Sequence, residues 1–156
     1  MKPSGPTSAR IMIVGEAPGE NELYRGEPFV GPSGHELDRI LGEAGITRAE
    51  CFLTNVCNYR PPKNDIAEWS SPNKHCPKDH PDWVQWKGMW VDSRIVEGYN
   101  QLLAHIALVR PRLIVALGNI ALTALAGKRG IKSWRGSMLE IEVGDHKCMC
   151  LPTYHP

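Results

Sequence analysis

Four polar side chains of this sequence each come directly after a short apolar segment. They are Glu16 after RIMIVG, Asn55 after CFLT, Asn119 after LIVALG and His155 after CMCLPTY. A carboxylate, two carboxamides and an imidazole can donate and accept hydrogen bonds and stabilise charge at a bound ligand. The alternative is that the asparagines cap helices or turns, while the carboxylate and the imidazole are solvated at the surface.

The apolar segments predict the elements that position these side chains. Short, nearly continuous apolar runs are typical of strands that are buried on both faces of a parallel sheet. Apolar residues at helical spacing predict helices between them. The predicted strands cover residues 10–14, 51–56, 113–117, 138–143 and 147–151, with a turn at 144–145, and the predicted helices cover residues 33–44, 93–109 and 119–126.

The order of these elements predicts an α/β fold. Strands and helices that alternate in this way favour a single domain over residues 1–156, built as a three-layer α/β/α sandwich around a central, mainly parallel four-stranded sheet. Residues 15–34 are expected to form a loop, and the polar, proline-rich residues 63–92 an irregular insertion. Ligands of such folds bind at the carboxyl ends of the strands, where Glu16, Asn55 and His155 are expected to meet.

Composition excludes several classes of protein. Of 156 residues, 42% are hydrophobic and 22% are charged, which argues against disorder and collagen-like structure. The net charge of +1 excludes a strongly basic coat for nucleic acid, but it allows a local basic patch. We expect a cytoplasmic protein without a membrane partner, because the sequence shows neither a long apolar span nor a signal peptide.

Two glycine-containing segments do not match the known phosphate-binding motifs. Gly15 and Gly19 lack the G-x-G-x-x-G spacing, and Pro18 removes a backbone donor. The pair Gly127-Lys128 is followed by arginine, where a P-loop needs a hydroxyl side chain. Hydrolysis of a nucleoside triphosphate is therefore not expected.

Six segments occur as ordered motifs along the chain. They are GEAPGENE (15–22), GEPFVGPSG (26–34), TNVCNYRPPKN (54–64), RPRLIVALGNIAL (110–122), WRG (134–136) and LPTYHP (151–156). Together they resemble the uracil-DNA glycosylase superfamily, with the family 4 type and proteins related to a phage DNA polymerase as the nearest branches. Several motifs in the same order are more specific than any one of them.

This resemblance implies a role for each side chain at the strand ends. Asn55 would pair with the uracil edge, Phe29 would stack on the flipped base, and His155 would stabilise the departing uracil anion. Glu16 would position water or balance positive charge on the sugar, and Glu22 would help to exclude the thymine methyl group. The loop expected to shape the pocket consists of Gly15, Ala17, Pro18 and Gly19. Core packing is the alternative for Phe29.

The resemblance also implies contacts with DNA. Together with Pro18 and Pro32, Ser33 would shape loops that bind the DNA backbone through main-chain N–H groups. The segment GKRGIKSWR (127–135) is the best candidate phosphate patch, with a solvated loop as the alternative. Its basic residues are Lys128, Arg129, Lys132 and Arg135. The expected partner is DNA that contains uracil or a modified base, bound by a monomer.

No cofactor is expected. Many family 4 enzymes carry an iron–sulfur cluster on four cysteines, but the corresponding positions lack cysteine here, and the five cysteines present fit reduced thiols. A zinc site at Cys57, His75, Cys76 and His80 is not expected, because the spacing matches no standard finger. Four tryptophans between residues 63 and 92 either pack that segment on itself or stack on extruded bases.

Three functions remain open from the sequence, and the third of them is a zinc-stabilised interaction domain. The first is an enzyme that hydrolyses the N-glycosidic bond of uracil, or of a related modified pyrimidine, and leaves an abasic site in DNA. The alternative is a catalytically weak or inactive DNA-binding module of a phage replication or modification protein. The family has a DNA-wedging loop after the His-Pro pair, whereas this sequence stops at Pro156, so the C-terminal end is either truncated or lacks the wedge.

Overall fold

The computed structural model describes all 156 residues and contains the predicted α/β elements. In chain order the strands are β1 (Ile11–Gly15), β2 (Cys51–Asn55), β3 (Ser70–Ser71), β4 (Val84–Trp86), β5 (Met89–Val91), β6 (Leu113–Leu117), β7 (Leu139–Val143) and β8 (His146–Thr153). The helices are α1 (Glu20–Arg25), α2 (Pro32–Glu43), α3 (Ser93–Val109), α4 (Asn119–Ala126) and α5 (Ile131–Trp134).

The central sheet has five strands in the order β2-β1-β6-β8-β7, so the expectation of four strands was wrong. The four strands β2, β1, β6 and β8 are parallel to one another. Strand β7 is antiparallel to β8 and forms the edge, because the turn at Gly144 and Asp145 reverses the chain between them. Gly15 pairs with Asn55, and Leu117 pairs with Thr153. The carboxyl ends of the parallel strands therefore meet at one rim.

Side chains alternate between two helical layers, as a strand requires. Met12 belongs to the larger apolar cluster, which includes Ile95 and Leu102 of α3. Its neighbour Ile13 belongs to the smaller cluster on the other face, together with Leu37 of α2. The three-layer α/β/α arrangement is thus confirmed, with α2 on one side and α3 and α4 on the other.

The insertion at residues 63–92 is not irregular throughout. It holds a second sheet, antiparallel and in the order β3-β5-β4, with Lys87 and Gly88 in the positive-φ turn that joins β4 and β5. Trp69, Trp83 and Trp86 are buried, and the Trp86 ring packs edge-on against Tyr99 of α3, with ring centroids 5.4 Å apart. Packing therefore accounts for three of the four tryptophans.

The glycine- and proline-rich segment 15–34 also holds more structure than a loop. It contains α1, which is followed by Gly26 in the left-handed conformation (φ 74°). The carboxylate of Glu22 accepts a hydrogen bond from the Gly19 N–H, so the first turn of α1 is capped from within. No helix of the chain has the length and apolar character that crossing a membrane requires.

Candidate active site

A cavity of about 450 Å³ lies at the carboxyl ends of β1, β2 and β8. The sequence-predicted residues that line it are Glu16, Ala17, Pro18, Gly19, Glu22, Phe29, Pro32, Ser33, Asn55 and His155. Gly15 lies directly beneath, because a Cβ atom there would come within 2.4 Å of Asn55 Oδ1 and 2.7 Å of Phe29 Cζ. The expected meeting of carboxylate, carboxamide and imidazole at one rim is therefore observed.

Asn55 presents a free amide to this cavity. The residue is only 5% exposed, at the end of β2, and its side-chain amide opens on the cavity without a hydrogen bond to another protein group. Gly15, its partner in the strand ladder, leaves the room that the amide oxygen occupies. Because the amide faces the cavity and has no partner in the protein, it is available to a ligand that offers a donor and an acceptor.

Phe29 forms one wall from an unusual backbone conformation. Its φ of 54° lies in the left-handed region, which residues with a side chain rarely adopt. The ring is 4% exposed and faces the ring of His155, with centroids 6.3 Å apart and planes inclined by 30°. A buried aromatic face and an exposed imidazole thus border the same space.

Glu16 is held at the amino end of α4. Its Oε2 accepts a 2.8 Å hydrogen bond from the Ile120 N–H. Gly118 allows this approach, because a Cβ atom there would lie 2.6 Å from the Glu16 Cδ and its φ of 93° suits glycine. Burial raises the pKa of Glu16 above its ordinary value, and this outweighs the opposite effects of the Ile120 N–H and of His155.

Glu22 lines the cavity, but both of its carboxylate oxygens are occupied. Oε2 accepts from the Gly19 N–H at 3.1 Å, and Oε1 accepts from the Gly31 N–H at 3.3 Å. The side chain therefore ties the loop after β1 to the residue before α2. In the free protein this carboxylate braces the wall of the cavity.

The insertion supplies part of the wall that the sequence did not predict. Asn64, Asp65 and Ile66 line the cavity together with the residues at the strand ends. The carboxylate of Asp65 also contributes to the raised pKa of Glu16. Asn64 closes the motif TNVCNYRPPKN, so the end of that motif was the available signal, whereas nothing in the sequence singled out the next two residues.

The basic segment 127–135 lies outside this cavity. Lys128 Nζ sits 4.7 Å from the centroid of the Trp134 ring, and the Arg135 guanidinium sits 4.5 Å from that of Tyr154. Arg129 donates to the carbonyls of Lys87 and Gly88, and Lys132 is exposed. The cations thus surround α5 and the end of β8, and Tyr154 connects them to His155.

Asn119 does not line the cavity either. Its Oδ1 accepts a 2.8 Å hydrogen bond from the Ile131 N–H, the first backbone donor of α5. The capping alternative is therefore the correct one for this asparagine.

The cysteines do not fit a four-thiolate cluster. The five thiols are free and dispersed, and nowhere do three or more histidine, cysteine, aspartate or glutamate side chains form a group that could hold a metal ion. The thiol of Cys57 donates to the carbonyls of Tyr59 and Arg94, and that of Cys76 to the carbonyl of His80. These thiols contact the backbone rather than each other.

The sandwich and the polar cavity at its strand ends define a class of proteins. The profile of the uracil DNA glycosylase superfamily matches residues 2–156, and the chain belongs to that superfamily.

Curated relatives refine this assignment. The chain is similar to the type-4 uracil-DNA glycosylases of Saccharolobus solfataricus (32% identity, covering 97% of this chain and 62% of that protein) and Thermotoga maritima (34%, covering 97% and 67%). It is also similar to a DNA polymerase of Bacillus phage SP01, with 29% identity over 91% of this chain and 13% of that protein. The chain spans 62% of the length of the first of these glycosylases.

Proposed function

We propose that this chain hydrolyses the N-glycosidic bond of uracil, or of a closely related pyrimidine, in DNA. The observation that carries the proposal is the unpartnered amide of Asn55, buried at the end of β2 in a cavity that Phe29, Glu16 and His155 also line. Membership of the superfamily and the names of the type-4 relatives support the same chemistry.

Recognition of the base is assigned to Asn55 and Phe29. A carboxamide can accept from uracil N3–H and donate to O4, whereas cytosine presents an acceptor and a donor in the opposite places. The Phe29 ring offers a flat apolar face on which the extruded base stacks. Glu22 narrows the pocket and so helps to exclude the methyl group of thymine.

Bond cleavage is assigned to His155 and Glu16. As the bond between C1′ and N1 breaks, its electron pair leaves with uracil, and His155 stabilises the anion by donating a hydrogen bond. The carboxylate of Glu16 balances the positive charge on the sugar and positions the water that adds to C1′. The proton released from that water goes to Glu16 or to solvent, so no cofactor is needed to balance the reaction.

Contacts with the DNA backbone are assigned to two surfaces. Ser33 and the main chain at the start of α2 lie at the rim of the cavity, where N–H groups can meet phosphate. The basic segment 127–135 would hold the strand beyond the flipped nucleotide.

The test is release of uracil from a labelled single-stranded oligonucleotide, detected as strand cleavage after alkali. We expect the wild-type chain to release uracil and Asn55→Ala and His155→Ala each to lose about a hundredfold or more in rate, because each removes a hydrogen bond that the reaction needs. Asn58→Ala is the matched control, since Asn58 lies three residues beyond Asn55 and pairs with Gln101 outside the cavity. Unchanged release by both cavity variants would disprove the assignment.

A second candidate function is a DNA-binding module without catalytic activity. The similarity to a phage DNA polymerase favours it, because that match covers only 13% of the larger protein. Salt-sensitive binding of the oligonucleotide without any release of uracil would support this candidate over the first.

A further inference from the structure

The guanidinium of Arg48 contacts the loop that carries Phe29. Arg48 begins the 3₁₀ turn Arg48–Glu50, immediately before β2. Its Nη1 donates to the Pro28 carbonyl at 3.2 Å, and its Nη2 donates to the carbonyls of Phe29 and, at 3.4 Å, Gly34. No backbone N–H donates to the carbonyl of Pro28 or Phe29. Arg48 is therefore the donor on which both carbonyls depend.

The backbone at Phe29 needs this support. Its positive φ crowds the side chain against its own backbone, and such conformations persist only where the surroundings enforce them. Gly34 supplies one constraint, because a Cβ atom there would come within 1.8 Å of the Phe29 oxygen. The Phe29 carbonyl is thus confined between the glycine on one side and the guanidinium on the other.

Asp38 fixes the guanidinium itself. The Arg48 Nε donates to Asp38 Oδ1 at 2.7 Å, and Asp38 belongs to α2. One side chain consequently joins the Phe29 loop, α2 and the start of β2. A planar fork with several donors can make these contacts together, whereas a lysine ammonium could not serve all of them.

We propose that Arg48 is a positioning residue of the base pocket. By holding the Phe29 loop in its left-handed conformation, it places the ring against Gly15 and opposite His155, where the ring receives the base. The effect on uracil release rests on the proposed function, but the effect on the Phe29 ring does not.

The first experiment observes the ring directly. The chain contains only two phenylalanines, Phe29 and Phe52, so protein labelled with carbon-13 in its phenylalanine rings gives two sets of ring signals. We expect Arg48→Met to shift and broaden the Phe29 signals and to leave those of Phe52 unchanged. Phe29→Leu assigns the signals. Unlike a fluorine label, carbon-13 adds no bulk to a ring whose Cζ faces Gly15 closely.

Arg39→Met is the matched control. Arg39 lies on α2, where it pairs with Glu36 and Glu43 of the same helix and does not contact the loop. It should leave both sets of signals in place. If Arg48→Met does not fold, Asp38→Ala replaces it, because this variant releases the guanidinium while keeping Arg48. Phe29 signals that stay unchanged in the folded variant would overturn the proposal.

The second experiment is a double-mutant cycle on uracil release under single-turnover conditions. We expect Arg48→Met to weaken the apparent affinity for the uracil oligonucleotide about tenfold, with a smaller loss for Arg48→Lys. In the Phe29→Leu background the same substitution should change the affinity less than about twofold, because the aromatic ring through which Arg48 acts is already absent. Equal losses in both backgrounds would overturn the proposal. Absence of release by the wild type would refute the proposed function and leave the ring signals to decide on Arg48.

Discussion

At the scale of single residues, the polar groups of the cavity differ in whether they are hydrogen-bonded within the protein. Glu22 is satisfied by two backbone N–H groups, whereas the amide of Asn55 has no partner in the protein. Because the amide opens on the cavity, a ligand with a matching donor and acceptor can pair with it without displacing another protein group. The Asn55 amide is therefore free to bind a ligand, whereas the Glu22 carboxylate is fixed in the wall of the cavity.

Glu16 makes the stability of the fold depend on pH. Because burial raises its pKa above 4.5 in the folded protein, the protonated form is favoured by folding. Its contribution to the free energy of unfolding is fully present below about pH 4.5 and is lost as the pH rises through the folded-state pKa. Relative to Glu16→Gln, the wild type should lose stability across that window and then reach a plateau.

Urea unfolding of both proteins at a series of pH values measures this difference. Glutamine is the suitable comparison because its amide oxygen can still accept from the Ile120 N–H. The rate of uracil release should rise over the same pH window if the carboxylate is the reactive form. A constant stability difference from low to neutral pH would show that the pKa of Glu16 is not raised.

At the scale of elements, α3 is attached to the sheet through a close contact between backbones. Gly98 lies on the buried face of α3, and a Cβ atom there would come within 2.1 Å of the Val56 carbonyl oxygen and 2.9 Å of the Cys57 Cα. The glycine allows α3 to approach the end of β2, the strand that carries Asn55. Packing of this helix and the position of the recognition amide are thus linked.

Gly98→Ala should therefore destabilise the protein by about 1–3 kcal/mol, because the added methyl group forces α3 away from β2. Gly42→Ala is the matched control in α2. No atom lies within 4 Å of the Cβ position there, so this substitution should stabilise the protein by about 0.5–1 kcal/mol through helix propensity. Chemical denaturation measures both changes. A destabilisation by Gly98→Ala no larger than a few tenths of a kcal/mol would contradict the close-contact argument.

The elements that the sequence predicted correctly are those with a strong apolar pattern. The run at β1 and the helical spacing in α3 reflect burial that is continuous along the element. The strands of the insertion are only two or three residues long, so contacts such as that of Trp86 with Tyr99, and not the local pattern, decide their pairing. Arg48 was missed because a basic residue in a polar turn has no distinctive pattern.

At the scale of the whole molecule, positive and negative charges nearly cancel, so binding of DNA depends on where the basic residues lie rather than on the net charge. With a net charge of +1, general attraction to DNA is weak, and the proposed binding depends on the cations around α5. Lys132 is the most suitable probe among them, because it is exposed and makes no contact with an aromatic ring or a carbonyl group.

Lys132→Ala should weaken binding of a single-stranded oligonucleotide and reduce the magnitude of the slope of log affinity against log salt by about 0.7. Lys147→Ala is the control, because Lys147 is exposed near the opposite end of β8, away from the cavity. Titrations followed by fluorescence anisotropy over a range of salt concentrations measure both slopes. Equal changes in the two variants would show that the segment 127–135 is not the phosphate contact.

Both margins of the central sheet are shielded from pairing with another chain. Along β2 the margin is covered by Ser4, which exchanges two backbone hydrogen bonds with Leu53 at 3.0 and 2.7 Å. Along β7 the margin carries the exposed carboxylates of Glu140 and Glu142, which repel an approaching strand of like charge. Both devices act against the addition of a further strand, so the sheet is closed to edge-to-edge pairing with a second copy of itself.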